Sequence, residues 1–316
     1  MTEFDIIKHY FTRQTRQRAD VALGIGDDAT IVNVPVDKQL VITTDTLSAG
    51  IHFPSETPPN AIGHKALAVN LSDLAAMGAH PAWITLSLTL PSFDAAWLNA
   101  FCDGFFALAN THDVALIGGD LTHGPLSITV AALGLIPAQK ALLRSAAKPN
   151  DLIYVTGTLG DAGLALLGLQ QKITMDPTIQ TKLLEKLNYP TPRVKVGEAL
   201  QGIAHAAIDV SDGLASDLSH ILDESNVGAR INVDQLPLSD ALKTVLDKNA
   251  AIKLALSAGD DYELCFTIPP QHREQLTKLV PCRITCIGEI TAEKGLLLHY
   301  QQGNPYHGDI IGYQHF

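Results

Sequence analysis

The sequence lacks the features of a membrane-spanning or disulfide-bonded protein. Its most apolar run, 125–137, is bounded by prolines and is shorter than the roughly 20 residues that cross a bilayer as a helix. The N-terminus, from Met1 to Asp5, has neither the basic residues nor the apolar stretch of a signal peptide. Four cysteines in 316 residues are too few for a disulfide framework. We therefore expect a cytoplasmic protein with no membrane partner.

Basic residues are also scarce, since 22 Lys and Arg stand against 33 Asp and Glu and give a net charge of −11. A general nucleic-acid binder needs a basic face for the phosphates, so we expect no nucleic-acid partner. An acidic protein that binds phosphates needs divalent cations between its carboxylates and the phosphate oxygens. The positions of the aspartates therefore matter more than their number.

Several catalytic motifs are missing as well. The chain has no Gly-x-x-x-x-Gly-Lys-Ser/Thr loop, which excludes a Walker-type nucleotide enzyme. It also lacks the protein-kinase set of Gly-rich loop, His-Arg-Asp and Asp-Phe-Gly, the Gly-x-Ser-x-Gly elbow and the His-Glu-x-x-His helix. Any chemistry on phosphates must use a different arrangement of residues.

The remaining composition is typical of a globular protein of two domains. Hydrophobic residues make up 46% and charged residues 17% of the chain, and its length suits two separate cores. Strand and helix patterns interleave in both halves, which predicts an α/β or α+β fold. The segment 137–149 has the prolines and small residues of a domain crossing. We therefore expect domains at 1–137 and 138–316.

The pattern of apolar residues locates the main elements. Short aliphatic or β-branched runs predict strands at 40–44, 114–117, 126–136, 152–156 and 206–210. A helix is predicted from Asn60, as N-cap, to about Met77, with Gly78 just beyond its end. Its core stripe of leucines leaves Asp73 on a neighbouring face of the helix.

Acidic residues recur beside Gly, Ser or Thr, mostly where a predicted strand runs into a loop. These groups contain Asp27 and Asp28, Asp45, Asp73, Asp120, Asp209 and Asp212, and Asp260 and Asp261. Mg²⁺ prefers about six oxygen ligands and keeps waters, which suits carboxylates together with phosphate oxygens. Small neighbours let backbone amides approach the same phosphates closely. The combination indicates a magnesium and phosphate site.

Each group alone has a simpler explanation, because Asp beside Gly also forms turns and helix caps. We interpret Asp161 as an N-cap and Asp217 as a residue of a helix surface. Asp73 is different, since it lies in the middle of a predicted helix where no cap needs it. Asp209 ends an apolar strand and is expected to be semi-buried. A buried carboxylate is costly without a partner, so cations are expected at these two.

Taken in order, these segments resemble the thiamine-monophosphate kinases of the aminoimidazole-ribonucleotide-synthetase-like superfamily. The resemblance runs from Gly24 to near the C-terminus. Its most specific parts are Gly50-Ile51-His52-Phe53 and the helix segment 65–79. Others are Gly24-Ile25-Gly26-Asp27-Asp28-Ala29, Thr43-Thr44-Asp45-Thr46-Leu47, Gly118-Gly119-Asp120, Asp209-Val210-Ser211-Asp212-Gly213 and Asp261-Tyr262-Glu263-Leu264.

The resemblance implies transfer of a phosphoryl group from ATP to thiamine monophosphate, which gives thiamine diphosphate. It implies a two-domain fold in which residues 1–137 bind ATP and magnesium and pair their sheet across a homodimer. Residues 138–316 would then complete the active-site cleft. The attacking phosphate oxygen is already ionised, so we expect direct in-line transfer with no dedicated general base.

The resemblance also assigns residues to roles. The ligands of several Mg²⁺ ions, some through backbone oxygen or water, are Asp28, Thr43, Thr44, Asp45, Asp73, Asp120, Asp209 and Asp212. The contacts to the ATP phosphates are Gly119, Asp120, Arg144 and Ser211. The contacts to the thiamine phosphate are His52, Asp260 and Tyr313.

The sequence departs from the family pattern at three places. Asp260 stands where the family usually has glutamate, so its carboxylate reaches one methylene less far. Leu121-Thr122-His123 replaces the usual Thr-Thr-Arg, which removes one fixed positive charge. The Asp-Ser-Ala-Ala-Gly segment of the second domain is shortened to Asp161-Ala162-Gly163.

Two alternatives stay open at the level of sequence. One is another ATP-dependent synthetase of the same superfamily, making an aminoimidazole ring or selenophosphate. A selenophosphate synthetase is expected to carry a reactive cysteine near its N-terminus, whereas the first cysteine here is Cys102. The other alternative is a nucleotide-binding maturation protein without catalytic activity, against which the full set of aspartates argues.

Overall fold

The computed structural model of the chain describes residues 2–12, 14–308 and 312. The chain forms two compact units. Unit 1 comprises Met1–Leu74 and Ala79–Gln139, and unit 2 comprises Ala75–Gly78 and Lys140–Phe316. Helices and strands interleave in both units, which confirms the mixed α/β class.

Unit 1 is built around a four-stranded mixed sheet and a separate pair of short strands. The strands of this unit are β1 (Val21–Leu23), β2 (Ile31–Val32), β3 (Lys38–Ser48), β4 (His80–Leu90), β5 (Ala115–His123) and β6 (Ser127–Pro137). The order in the four-stranded sheet is β3-β6-β4-β5, and β1 pairs with β2 separately. Only the β4–β5 pair is parallel in the four-stranded sheet. Strands β3 and β5 are therefore its two edges.

The main helices of unit 1 are α1 (Glu3–Ile6), α2 (Pro59–Ala76) and α3 (Ala95–Thr111). Helix α1 continues as a wider π-helical turn over Ile7–Thr12. The prediction of Asn60 as the N-cap of α2 is wrong, because the helix already includes Pro59. Proline suits this first position, since its fixed φ is helical and its missing N–H would have no partner there. The Asn60 side chain instead accepts a hydrogen bond from the N–H of Ala61.

Alternation along the strands gives the four-stranded sheet one covered and one open face. On the covered face, Ile128, Val130 and Ala132 of β6 are 0% exposed. Leu74 of α2 packs on this face so closely that a Cβ at Gly134 would lie 3.2 Å from its Cδ2. On the open face, Ile42 of the edge strand β3 is 64% exposed.

Unit 2 contains a larger sheet. Its strands are β7 (Leu152–Thr156), β8 (Ala206–Val210), β9 (Gly228–Asn232), β10 (Glu263–Ile268), β11 (Ile284–Thr291) and β12 (Gly295–His299). Their order is β12-β9-β11-β7-β10-β8, and every pair except β12–β9 is antiparallel. Strands β8 and β10 are buried at every position because the sheet is covered there on both faces.

Helices connect these strands and cover them. They are α4 (Asp161–Leu169), α5 (Pro177–Asn188), α6 (Val194–Leu200), α7 (Leu214–Ser225), α8 (Asp240–Val245), α9 (Lys248–Ser257) and α10 (Arg273–Leu279). Helix α7 contributes Leu218 and Ile221, both 0% exposed, to the core of this unit. Among the described residues, no helix combines the length and apolar character that a bilayer crossing demands.

Candidate functional site

One group of predicted site residues lies where β3 meets α2. Thr43 and Asp45 point to the covered side of the sheet, in the same alternation as the buried Leu47. The Thr43 hydroxyl donates a hydrogen bond of 2.5 Å to Oδ2 of Asp73 on α2. Asp73 is half-buried, although Leu71 and Leu74 beside it are 0% exposed. We call Thr43, Asp45 and Asp73 the β3 cluster.

The sequence context of Asp45 suggested a position at the end of a strand, but Asp45 lies inside one. Strand β3 continues to Ser48, and Asp45 pairs with Val130 inside it. Thr44 points to the opposite, open face, where its hydroxyl donates to the backbone oxygen of Val130 at 3.2 Å. The side chain of Thr44 therefore does not belong to the β3 cluster. If Thr44 is a metal ligand at this cluster, it binds through its backbone oxygen.

A second group lines a cavity of about 610 Å³ at the other edge of the sheet. Its walls include the segments 24–30 and 118–121, so Asp28, Gly119 and Asp120 face the same space. The Thr30 hydroxyl donates to the backbone oxygen of Ile117, which holds the first segment against β5. We call Asp28, Gly119 and Asp120 the β5 cluster.

Gly119 is required by the close approach of β4 and β5. Its φ is +152°, and a Cβ there would lie 1.9 Å from the backbone oxygen of Leu86. Any side chain would therefore push the two strands apart. Gly118 and Gly119 also leave the backbone beside Asp120 uncovered, so a phosphate oxygen can approach it. The segment was expected after a strand, but it lies inside β5.

The two clusters are not brought together within one chain. Cross-strand pairing puts Asp120, Ser87, Thr129 and Thr46 in one row on the open face. Asp45 belongs to the next row, which points to the covered face. Three strand spacings separate the edges, or about 14 Å. One ion therefore cannot bind the carboxylates of both Asp45 and Asp120 of the same chain.

In unit 2 the predicted residues gather after strand β8. Asp209 lies in β8 next to its last residue and is 3% exposed, so this carboxylate is more deeply buried than the semi-buried position expected from the sequence. Ser211 and Asp212 follow in the turn that leads into α7. Gly213 completes the turn with a φ of +114°, and a Cβ there would meet the backbone of Ser257 at 2.8 Å. The turn is thus packed against the segment that precedes Asp260.

Asp217 shapes this turn, although the sequence had suggested a residue of a helix surface. That prediction is wrong, because Asp217 is only 3% exposed. Its Oδ2 accepts hydrogen bonds from the backbone N–H groups of Ser211 (3.0 Å), Asp212 (3.1 Å) and Gly213 (3.1 Å). Burial raises the pKa of Asp217 to about 7, against the lowering effect of these amides. One carboxyl group therefore accepts hydrogen bonds from all three amides of the turn and fixes its shape.

Asp260 is tied to the same turn through its backbone. The N–H of Asp260 donates to the oxygen of Ser211 at 2.9 Å, and the N–H of Tyr262 donates to that of Val210 at 2.8 Å. A Cβ at Gly259 would lie 2.4 Å from the oxygen of Ser211, so only glycine allows this approach. The structure thus brings Asp209, Ser211, Asp212 and Asp260 together.

The backbone of Arg144 lies near the other end of α7. Its backbone oxygen accepts a hydrogen bond of 2.6 Å from the hydroxyl of Ser225, at the C-terminal end of α7. Ser211 lies before the N-terminal end of the same helix, which is 12 residues long and so spans about 18 Å. The role of Arg144 at the ATP phosphates stays a prediction.

The remaining predicted substrate contacts are His52 and Tyr313. His52 follows β3 in unit 1, and its Nδ1 accepts a hydrogen bond of 3.0 Å from the N–H of Ser48. In a neutral imidazole this leaves the proton on Nε2. Tyr313 lies outside the described residues.

A buried polar network next to Asp260 could not be anticipated from spacing. Glu263 accepts hydrogen bonds from Arg193 Nε at 2.6 Å and Nη2 at 2.5 Å, and Thr156 donates a third at 2.5 Å.

Asp161 was predicted as an N-cap, but Gly160 holds that position. The Asp161 carboxylate accepts from the hydroxyls of Thr158 and Ser239 instead.

The ligand types present fit magnesium. The predicted ligands are carboxylates and hydroxyls, the hard oxygen donors that Mg²⁺ prefers. Within the described residues, no three His, Cys, Asp or Glu side chains group closely enough to hold an ion by themselves. Mg²⁺ is commonly held by one or two carboxylates, with substrate phosphates and waters as the other ligands. The paired carboxylates of these clusters suit that mode.

Comparison with known proteins matches both halves of the chain. The family model "AIR synthase related protein, N-terminal domain" matches residues 26–136, and the corresponding C-terminal domain matches residues 148–301. A thiamine-monophosphate kinase from Salmonella typhimurium is 50% identical over 318 residues, covering 99% of this chain and 98% of that protein.

Two solved structures extend the comparison. Thiamine-monophosphate kinase from Stenotrophomonas maltophilia has a TM-score of 0.88 and 47% identity, covering 97% of this chain and 98% of that chain. AaThiL complexed with AMPPCP and TMP has a TM-score of 0.79 and 30% identity, covering 89% of each chain.

Proposed function

The chain belongs to the AIR synthase related family, among the thiamine-monophosphate kinases, and we propose that it phosphorylates thiamine monophosphate with ATP. The product is thiamine diphosphate, formed by direct in-line transfer of the γ-phosphoryl group. The structural observation that carries the proposal is the β5 cluster. Two exposed carboxylates, Asp28 and Asp120, line one cavity beside a backbone that Gly118 and Gly119 leave uncovered.

Magnesium ions would be held by residues of both units. In unit 1 the candidates are Asp28, Thr43, Thr44, Asp45, Asp73 and Asp120, and in unit 2 they are Asp209 and Asp212. When bound, such ions neutralise the phosphate charge that develops in transfer. The separation of the β3 and β5 clusters supports several ions rather than one.

The protein residues supply position rather than a base. The acceptor is a phosphate oxygen that is already ionised near neutral pH, so no side chain has to remove a proton from it. Asp217 holds the amides of the turn at Ser211 and so fixes its backbone, and the contact to an ATP phosphate is assigned to the Ser211 hydroxyl. Gly119 and Arg144 are further candidates for phosphate contacts.

Substrate contacts are assigned to three residues. The neutral tautomer of His52 offers Nε2–H to a phosphate oxygen of thiamine monophosphate. Asp260 offers a carboxylate to the cationic thiamine ring, and Tyr313 is the third candidate. We expect the reaction to take place in the cytoplasm.

A homodimer would explain the open face of the unit 1 sheet. Leu40 and Ile42 of the edge strand β3 are 37% and 64% exposed, next to the exposed Thr44 and Thr46. Exposed apolar edge strands tend to pair with another chain. Pairing of two such sheets would also let a β3 cluster and a β5 cluster from different chains meet at one nucleotide. We propose this dimerisation role for residues 1–137.

The test is the release of ADP from ATP by the purified protein. We expect release that depends on thiamine monophosphate and yields thiamine diphosphate, detected by its conversion to fluorescent thiochrome diphosphate. Aminoimidazole precursors and selenide serve as alternative acceptors. ADP release with one of these and none with thiamine monophosphate would favour another synthetase, and ATP binding without any turnover would favour a maturation protein.

A further inference from the structure

The segment that carries Asp260 has an unusual backbone. Asp260 has a φ of +67° and Tyr262 a φ of +48°, so two residues with side chains adopt left-handed conformations on either side of Asp261. A left-handed conformation costs an L-residue free energy, and an aromatic residue such as Tyr262 more than Asp or Asn. Such a backbone persists only where the surroundings hold it in place.

The two left-handed residues and Asp261 between them contact different neighbouring elements. The N–H groups of Asp260 and Tyr262 both donate to the end of β8, at Ser211 and Val210. The side chain of Asp261 between them reaches the turn after β7 instead. Its Oδ2 accepts a hydrogen bond of 2.6 Å from the N–H of Gly160, the N-cap of α4. The segment is therefore attached on both sides.

The carboxyl of Asp261 sits in an acidic environment. Burial raises its pKa well above the ordinary value, and the charges of Asp161 and Glu263 raise it further against the amides of Gly160 and Ala162. Arg193 is already engaged with Glu263. Asp261 lines a small cavity together with Lys186 and Asp260. A neutral carboxyl suits this place, because its oxygen still accepts from the amide of Gly160.

We propose that Asp261 is a positioning residue, whose side chain fastens the left-handed segment 260–262 to the N-terminal end of α4 and so directs Asp260 toward the substrate. This inference rests on the proposed function for the identity of the substrate. The attachment itself does not depend on it. Without the side chain of Asp261, the segment loses its attachment to the N-terminal end of α4, and the two left-handed residues can relax.

Two variants and one control test the proposal. Asp261→Ala removes the attachment, whereas Asp261→Asn keeps an acceptor oxygen and stays neutral at every pH. Asp176→Ala is the matched control, because Asp176 also accepts from helix N-terminal amides, at the start of α5, away from this segment. Thermal unfolding of all three separates general loss of stability from loss of position.

The kinetic readout is the Michaelis constant of each substrate. We expect Asp261→Ala to raise KM for thiamine monophosphate tenfold or more, while KM for ATP changes less than twofold. Asp261→Asn should stay within about threefold of the unchanged protein, which is less than 1 kcal/mol by the constant of 1.36 kcal/mol per tenfold. Asp176→Ala should lower Tm without raising either constant.

Amide hydrogen exchange gives a readout that needs no activity. Exchange at Asp260 and Tyr262 should become at least tenfold faster in Asp261→Ala, and stay unchanged in Asp261→Asn and Asp176→Ala. Equal exchange in Asp261→Ala and the unchanged protein overturns the proposal, and so does an Asp261→Asn variant as impaired as the alanine variant. If the unchanged protein does not phosphorylate thiamine monophosphate, the proposed function fails, while exchange still decides the role of Asp261.

Discussion

The hydroxyl of Thr43 on edge strand β3 donates a hydrogen bond of 2.5 Å to Oδ2 of Asp73 on helix α2, 30 residues further along the chain. The bond uses one of the two carboxylate oxygens and orients the other. A hydrogen bond from a neutral hydroxyl fixes the orientation of a carboxylate that can serve as a metal ligand. This relationship leads to the first prediction.

Asp73→Asn should lower kcat about a hundredfold or more while the protein stays folded, because it removes the charge that would bind a metal ion. Asp103→Asn on the exposed side of α3 makes the same chemical change away from the site and serves as the control. Steady-state rates with melting temperatures measure both variants. Near-normal kinetics for Asp73→Asn would give Asp73 a structural role only.

Activity should depend on free Mg²⁺ beyond the amount bound to ATP. The β3 cluster, the β5 cluster and the acidic residues after β8 offer more carboxylates than one ion uses. The rate should keep rising when total Mg²⁺ is increased past the ATP concentration at constant ionic strength. Saturation at equimolar metal would contradict a site with several ions.

Asp260→Ala should raise KM for thiamine monophosphate and leave KM for ATP nearly unchanged. Asp260→Glu restores the family's usual residue and reaches further, so we expect it to retain activity. The φ of +67° adds a cost, since glutamate tolerates this conformation less well than aspartate. Asp260→Glu should therefore melt at a slightly lower temperature. An unchanged KM in the alanine variant would remove Asp260 from the substrate site.

Asp20 gives a prediction about pH and stability. It accepts hydrogen bonds from Arg18 at 2.9 and 2.7 Å and from the indole of Trp83 at 3.1 Å. The bonds from Arg18 lower the pKa of Asp20 below its ordinary value. A lowered folded pKa means that its stabilising contribution is present above the unfolded pKa of about 3.9 and is lost as the pH falls through the folded value.

Asp20→Asn should therefore lower the free energy of unfolding by about 1 kcal/mol at pH 7, after allowance for the partial exposure of the pair. The difference from the unchanged protein should shrink as the pH falls below the unfolded pKa of about 3.9 and through the lowered folded pKa of Asp20. Urea unfolding across this pH range measures this, with Asp103→Asn as the control for the change in net charge. A constant difference at all pH values would contradict an ionic origin.

The sequence predicted well the elements that are apolar throughout. Strands β7 and β8 lie at 152–156 and 206–210 as predicted, because each is a short apolar run bounded by polar or glycine residues. Two strands extend further than predicted. Strand β3 continues through Asp45, and β5 continues through Gly118 to Asp120. Their polar residues are strand residues because they pair with β6 and β4. Such long-range pairing leaves no local pattern in the sequence.

The aspartates of the candidate site were found by their context, but their arrangement was not. The hydrogen bonds of Asp217 depend on the path of a turn that precedes it, so its helical position alone suggested a surface residue. The separation of Asp45 from Asp120 follows from strand order, which the sequence does not state. A helix that begins directly after such a turn, with an aspartate four residues after the glycine of the turn, is a signal that could have pointed to Asp217.

The hydrogen bonds of Asp217 have a consequence for protein engineering. The turn at 211–213 contains the residues that would contact ligands, but its shape is specified by a side chain outside it. A graft of this turn into another scaffold would need to carry the first turn of α7 as well, at an unchanged spacing from Asp217. An insertion of a single residue between Gly213 and Asp217 would rotate the carboxylate by about 100° around the helix axis and separate it from all three amides at once.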